Sequence, residues 1–329
     1  MNLNFKLIQK GFGLEPDKMK SIKNLLIYGA GESLGKGLNI LLMVILPFLL
    51  PVNEYGKLAV VVITEQILMF LLLRGQNNSI LRFWNKGNKQ REYLYSTISN
   101  TLIKRNSYIY SIAFIFVFAY AIIDGDGYPY LIILMSIPFL VLTELKLAVF
   151  RVEGKSKKYV VYRITFQTLK FILVITFINF YFNSVLGYCI GVLGAVLIVN
   201  YCFKIKLYKS SFYTKKSAIT DVVLNYGTPL GLQVAINLFY SAADRYMLLY
   251  LSDTETVSIY SFSYTLATTL LFFANIAIVG LIPVFYKIEP ANSAFKYLIK
   301  IFLSIGVFIT LLGILINLYI YPVMISLYD

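Results

Sequence analysis

Lys36, Arg163 and Lys170 lie inside long apolar runs of the chain. An ionised side chain at bilayer depth costs about 2.5–3.5 kcal/mol on insertion scales, so it faces a bundle interior or a watery cavity. Cations so placed suggest a path for something anionic. Their neighbours follow helical spacing. Glu32, Lys36 and Asn39 fall on one face, as do Arg163, Gln167 and Lys170. Further along, Gln233, Asn237, Ser241 and Asp244 form one stripe, and Ser261, Thr265, Thr268 and Asn275 another. Glu65 and Glu144 add isolated carboxylates.

Plainer readings stand beside these. The Ser/Thr/Asn stripes also fit interhelical hydrogen bonds, worth about 0.6 kcal/mol each. Glu32 could simply neutralise Lys36 one turn away. Arg163 lies near the end of its run and could snorkel to the interface. Lys36 and Lys170 are too deep for that, and a cavity suits them better. The chain has no histidine, which removes imidazole metal sites and histidine proton relays. Cys189 and Cys202 show no metal-ligand spacing and, along one helix, cannot pair with each other. No catalytic constellation and no metal site is expected.

The elements that carry these residues are set by composition. Of 329 residues 58% are hydrophobic and only 14% charged, against about 25% charge in a soluble domain; the mean hydropathy is +0.72. This implies an all-α polytopic transmembrane bundle. A span needs about 20 apolar residues, and nine runs qualify: 25–50, 55–73, 107–123, 129–150, 160–182, 184–203, 222–250, 257–286 and 298–321. The glycine pairs Gly31/Gly35 and Gly187/Gly191 suit close helix approach.

The net charge of +14 is distributed by topology. The N-terminal tail and the connections 74–107, 146–159, 204–220 and 287–300 hold 25 of the 30 Lys and Arg. The positive-inside rule places the N-terminus in the cytoplasm and, after nine spans, Asp329 outside. A nucleic-acid patch is a poor reading of such a pattern. The opposite loops are very short, which argues against a membrane enzyme acting on an extracytoplasmic sugar.

A weak internal repeat spans six runs. Tyr28-Gly29 and Tyr226-Gly227 open the first and seventh, and Tyr55-Gly56 and Tyr260-Ser261 the second and eighth. Parallel repeats of this kind are common in transporters with a site between two lobes. The segment from Tyr226 reads YGTPLGLQVAINLFYSAADRYMLLYL, followed by IYS and, later, PVFYK. With YGAGESLGKGLNILL in the first span and FRVEGKSKKY after the fourth, it resembles the Wzx-type O-antigen and capsule-repeat flippases of the multidrug/oligosaccharidyl-lipid/polysaccharide (MATE-like) superfamily.

That resemblance implies two six-helix lobes around a central cavity. It implies residues 1–24 as a cytoplasmic tail, 25–203 as the N-lobe, 204–221 as a cytoplasmic linker and 222–329 as a partial C-lobe. The chain would be C-terminally short of the usual twelve spans. The implied cargo is a polyprenyl-diphosphate-linked oligosaccharide, flipped from inner to outer leaflet of a bacterial inner membrane for lipopolysaccharide O-antigen or capsule, alongside a polymerase and glycosyltransferases. Lys36, Asn39, Arg163, Gln167 and Lys170 would bind it. Glu32, Glu65, Glu144, Asp244 and Arg245 would couple or gate, and Gln233, Asn237, Ser241, Thr265, Thr268 and Asn275 would line the cavity. No cofactor is implied beyond Na+ or H+ coupling. Alternatives are a MATE-like small-molecule exporter, an inactive truncated remnant and a polysaccharide polymerase.

Overall fold

A computed structural model describes residues 16–84, 88–124, 127–203 and 218–285, with single positions between 303 and 322. The described residues are helical: α1 (Pro16–Ile45), α2 (Val52–Leu73), α3 (Gln76–Phe83), α4 (Asn88–Asp124), α5 (Tyr128–Val152), α6 (Ser156–Phe177), α7 (Val185–Cys202), α8 (Ala218–Leu251) and α9 (Thr254–Phe285). Seven are long and apolar enough to cross a membrane, over Ile27–Phe48, Val52–Leu73, Asn106–Ile123, Tyr128–Val152, Ser156–Phe180, Val185–Cys202 and Asp221–Leu251. These match the first seven expected spans. The eighth corresponds to α9, and most of 298–321 lies outside the described residues.

Two boundaries differ from expectation. α1 starts at Pro16, well before the apolar run at 25, because a helix tolerates proline in its first turn and continues into polar sequence beyond the bilayer. The connection 74–107 is largely helix, carried by α3 and the first turns of α4. Its polar composition hides that from any reading based on apolar runs. α5 and α8 both continue through an internal proline, Pro138 and Pro229.

The chain divides into two compact units. One comprises Met1–Asn39 and Val60–Asp244, the other Ile40–Ala59 and Arg245–Asp329. In the first, Leu140, Leu147, Phe150, Tyr159, Tyr162, Phe166, Ala195, Val196 and Val199 form the core between α5, α6 and α7. α6 ends in a wide π-turn, Ile178–Phe182, and Asn183 at φ 37° reverses the chain into α7. A Cβ at Gly191 would stand 2.7 Å from Val174 Cα, and one at Gly187 3.0 Å from Ile178 Cα. The glycines therefore let α7 lie directly on α6. Gly31 serves α1 in the same way, since a Cβ there would meet Val160 of α6.

The first unit also holds a glycine seam. Arg74 and Gly75 turn the chain between α2 and α3 with φ of 50° and 63°. A Cβ at Gly75 would stand 2.2 Å from the Gly227 carbonyl oxygen of α8, and one at Gly231 2.3 Å from the Arg74 carbonyl carbon. The Ser79 hydroxyl donates to the Val223 carbonyl at 2.8 Å.

In the second unit, α2 and α9 meet at their N-terminal ends. The Thr254 hydroxyl donates to Asn53 Oδ1 at 3.1 Å, and the carbonyl of Thr254 leaves no room for a Cβ at Gly56. Asp253 accepts the Thr256 backbone N–H at 2.8 Å and caps α9. That hydrogen bond holds the Asp253 carboxyl below its ordinary value of 3.8.

Candidate functional site: a charged seam through the first unit

α6 brings its basic stripe to face α1, α2 and α5. Arg163 donates from Nη1 to Glu144 of α5 at 3.1 Å and from Nη2 to Glu32 of α1 at 3.4 Å. Its side chain is 16% exposed. Arg163 therefore does not snorkel; two carboxylates hold it among the helices. Arg151, at the end of α5, donates to the Tyr159 hydroxyl, which donates to Glu32. Arg151 also lies 3.8 Å from Glu32. One carboxylate on α1 thus receives two guanidinium groups and a phenol. Tyr28, one turn before Glu32, packs edge-on to Tyr159 at 5.2 Å and donates to the Phe150 carbonyl.

Two turns further along α6, Lys170 donates to Asn39 of α1 at 3.2 Å and lies over the Tyr188 ring of α7 at 5.2 Å. Lys170, Gln167 and Glu65 are all buried. Lys170 and Glu65 interact electrostatically. A buried ammonium needs such company, because desolvation of an isolated charge costs several kcal/mol. Lys36 differs from the other two: it is exposed on α1, one turn beyond Glu32.

A second, neutral network joins α6 to α5 and α7. The Tyr162 hydroxyl lies within hydrogen-bond distance of Thr143 Oγ1 at 3.0 Å and of Asn200 Oδ1 of α7 at 3.1 Å, with one proton to share between them, and Asn200 donates to the Phe139 carbonyl at 3.2 Å. These bonds satisfy buried polar atoms and pin α5, α6 and α7 together.

The structure thus brings Glu32, Asn39, Glu65, Glu144, Arg163, Gln167 and Lys170 into one seam. The stripes of α8 and α9 are placed differently. Gln233, Asn237 and Ser241 are exposed along one face of α8, and Asp244 is half-buried. The hydroxyls of Thr265 and Thr268 donate to the Ser261 and Thr265 carbonyls of their own helix, at 2.8 and 3.0 Å. They bond along α9, not between helices. Arg245 lies over the Tyr264 ring at 4.3 Å. The Asn275 side chain lies outside the described residues. Among the described residues, no three metal-ligating side chains come together.

Sequence reasoning missed Arg151 and Tyr159. Arg151 lies in the basic connection 146–159, where a cation reads as a topology signal. Tyr159 stands four residues before Arg163, so it extends the α6 stripe by one turn and was available from spacing alone.

Residues 21–289 match the family described as "Polysaccharide biosynthesis protein". No curated protein matches the chain in sequence. Among solved structures, the crystal structure of a MATE mutant superposes with a TM-score of 0.52 at 14% identity, covering 93% of this chain and 76% of that one. The likeness in fold agrees with the multi-pass helical bundle. The chain belongs to the polysaccharide biosynthesis protein family, and its fold is a multi-pass helical bundle like that of the MATE structure.

Proposed function

We propose that the chain flips a polyprenyl-diphosphate-linked oligosaccharide from the inner to the outer leaflet of a bacterial inner membrane, for O-antigen or capsule assembly. The reading is carried by one observation: three cations, Lys36, Arg163 and Lys170, lie along α1 and α6 within membrane-spanning segments. A diphosphate is the anionic part of such a cargo, and cations at that depth complement it. The basic loops put the N-terminus in the cytoplasm. Residues 25–203 then form the N-lobe and 222–329 belong to the C-lobe.

The geometry suggests a division of labour. Lys36 is exposed and makes the first contact with the diphosphate. Arg163 and Lys170 are engaged by Glu32, Glu144 and Asn39. Protonation of either glutamate would remove one of the charges holding Arg163 and release the guanidinium to the cargo. This couples the cargo to H+; Na+ competing for the same carboxylates would act alike. Glu65 serves Lys170 in the same sense. Asp244 gates, and Asn39, Gln167, Gln233, Asn237 and Ser241 line the path within the first unit. A polymerase and glycosyltransferases would act on either side of the step.

The test is reconstitution in vesicles with a fluorescent polyprenyl-diphosphate sugar, followed by reduction of the dye from outside. Lys36→Ala/Lys170→Ala should insert normally and lose flipping. Wild-type rates in that double variant would overturn the reading. Transport of an organic cation instead would favour a small-molecule exporter.

A further inference from the structure

An apolar cavity between α2, α4 and α5 has no assigned role. It measures about 370 Å³ and is lined by Leu72 of α2, Leu102, Asn106 and Tyr110 of α4, and Pro138 and Leu142 of α5, among others. Glu144 leaves α5 on another face, toward Arg163. The polar atoms at this wall are already spent within the protein. The Asn106 amide donates to the Leu72 carbonyl at 2.6 Å and accepts from Arg74 Nε at 3.2 Å. The Tyr110 hydroxyl donates to the Leu134 carbonyl at 2.9 Å, and Ser99 donates to the Tyr95 carbonyl at 2.8 Å. A cavity whose polar groups are satisfied does not hold water well and suits an apolar occupant.

Its shape suits a chain. A second depression of about 380 Å³ adjoins it, sharing Tyr110 and continuing over Phe114 and Ile115 of α4. Tyr110, Phe114 and Phe118 stack along that helix at 6.4 and 6.1 Å. The surroundings are exposed apolar side chains such as Ile112, Phe116 and Ile123, on a helix that spans the membrane from Asn106 to Ile123. The groove therefore opens toward lipid.

One end is basic. Arg74 bonds to the lining residue Asn106. The connection 74–107, which supplies Ser99, Leu102 and Asn106 to the wall, carries seven Lys and Arg in sequence. Basic segments beside a membrane attract anionic lipids, at about 1 kcal/mol per residue near the surface. We propose that this groove binds an anionic glycerophospholipid, one acyl chain lying in the cavity along α4 and the phosphate meeting Arg74.

Native mass spectrometry of the full chain, purified and incubated with defined lipids, tests this. Wild type should retain phosphatidylglycerol several-fold better than phosphatidylcholine of the same chains. Leu142→Trp, and the milder Leu142→Phe, fill the cavity and should lose the retained lipid. Arg74→Gln should reduce phosphatidylglycerol to the phosphatidylcholine level, and Arg74→Lys should restore it. Three results would overturn the proposal: equal retention of both lipids by wild type, unchanged retention in monodisperse Leu142 variants, or displacement of phosphatidylglycerol by a polyprenyl phosphate. The last would make the groove a cargo site. Because the wild-type comparison needs no variant, poor folding of the filled variants leaves the test intact. Loss of flipping in the Lys36 and Lys170 variants would not alter this outcome, since the groove is walled by α2, α4 and α5 alone.

Discussion

Arg163 and Glu144 meet at 3.1 Å across α5 and α6, two helices consecutive in the chain. Glu32 approaches the same guanidinium from α1 at 3.4 Å. The three helices are therefore tied by charge as well as by packing. Removing the cation from a buried ion pair leaves the acids uncompensated, at about 3–5 kcal/mol for full burial; here partial exposure reduces that.

Arg163→Gln should lower the melting temperature in detergent by several degrees, and Glu144→Gln by less, since Glu32 still holds Arg163. The double variant should be less destabilised than the sum of the two single changes. Thermal shift by size-exclusion chromatography reads all three. Strict additivity would show that the pair does not interact in the folded protein.

Tyr159→Phe removes the phenol between Arg151 and Glu32, a bond to a charged group worth about 1.5–3 kcal/mol. Tyr162→Phe removes a hydroxyl whose partners are neutral, at about 0.5–1.5 kcal/mol, plus whatever Thr143 and Asn200 lose by it. The first substitution should thus be the more damaging to stability. The reverse order would mean that the neutral network, not the charged one, ties α6 in place.

The glycine seam predicts a sharp contrast between similar substitutions. Gly231→Ala brings a Cβ against the Arg74 backbone, and overpacking of this kind costs about 1–3 kcal/mol. Gly75→Ala adds strain from its left-handed backbone. Gly37→Ala meets nothing within 4 Å and gains helix propensity. Only the first two should lower the melting temperature. A destabilising Gly37→Ala would contradict the placement of α1.

The cap of α9 predicts a pH response. The Asp253 carboxyl is lowered in the folded chain, so its contribution is present above the ordinary carboxylate range. It is lost as pH falls through the lowered value, because protonation removes the acceptor charge facing the Thr256 N–H. Hydrogen exchange at the Thr256 amide, normalised for intrinsic rate, should show protection at neutral pH that fades in acid. Asp253→Ala should lack it throughout. Equal protection in that variant would remove the carboxylate from the cap.

The two cysteines give a labelling test. Cys202 is exposed at the end of α7 and Cys189 is buried within it. A membrane-impermeant maleimide should label Cys202 and leave Cys189 unmodified. Because Cys202 adjoins a basic connection, labelling should occur in inside-out vesicles and fail in intact cells. Labelling in intact cells would reverse the proposed orientation.

The membrane class, the first seven spans and the two charged stripes could all be read from hydropathy and helical spacing. The helical nature of 74–107 could not, because Arg74, Arg82, Lys104 and Arg105 interrupt any apolar signal. Spacing also placed Glu32, Lys36 and Asn39 on one stripe without saying which would be engaged. The fold separates them: Glu32 and Asn39 turn into α6, while Lys36 is left exposed. That choice depends on how α1 is rotated against α6, which Gly31 fixes through its contact with Val160. Nothing in a single helix encodes the rotation of its neighbour.

The tight return at Asn183 has a consequence for biogenesis. α6 and α7 are joined closely enough to enter the bilayer as one hairpin, and Tyr188 then comes with Lys170 as a ring on which the ammonium can rest. Glu32, Glu65 and Glu144 lie earlier in the chain, so ribosomal order delivers the acids to the membrane before the cations of α6. Each deep cation of α6 therefore arrives where its counter-charge has already been synthesised. Insertion of α6 measured in chains truncated after α7 should fall when Glu32 and Glu144 are both replaced by Ala, and unaltered insertion would show that the hairpin enters without their help.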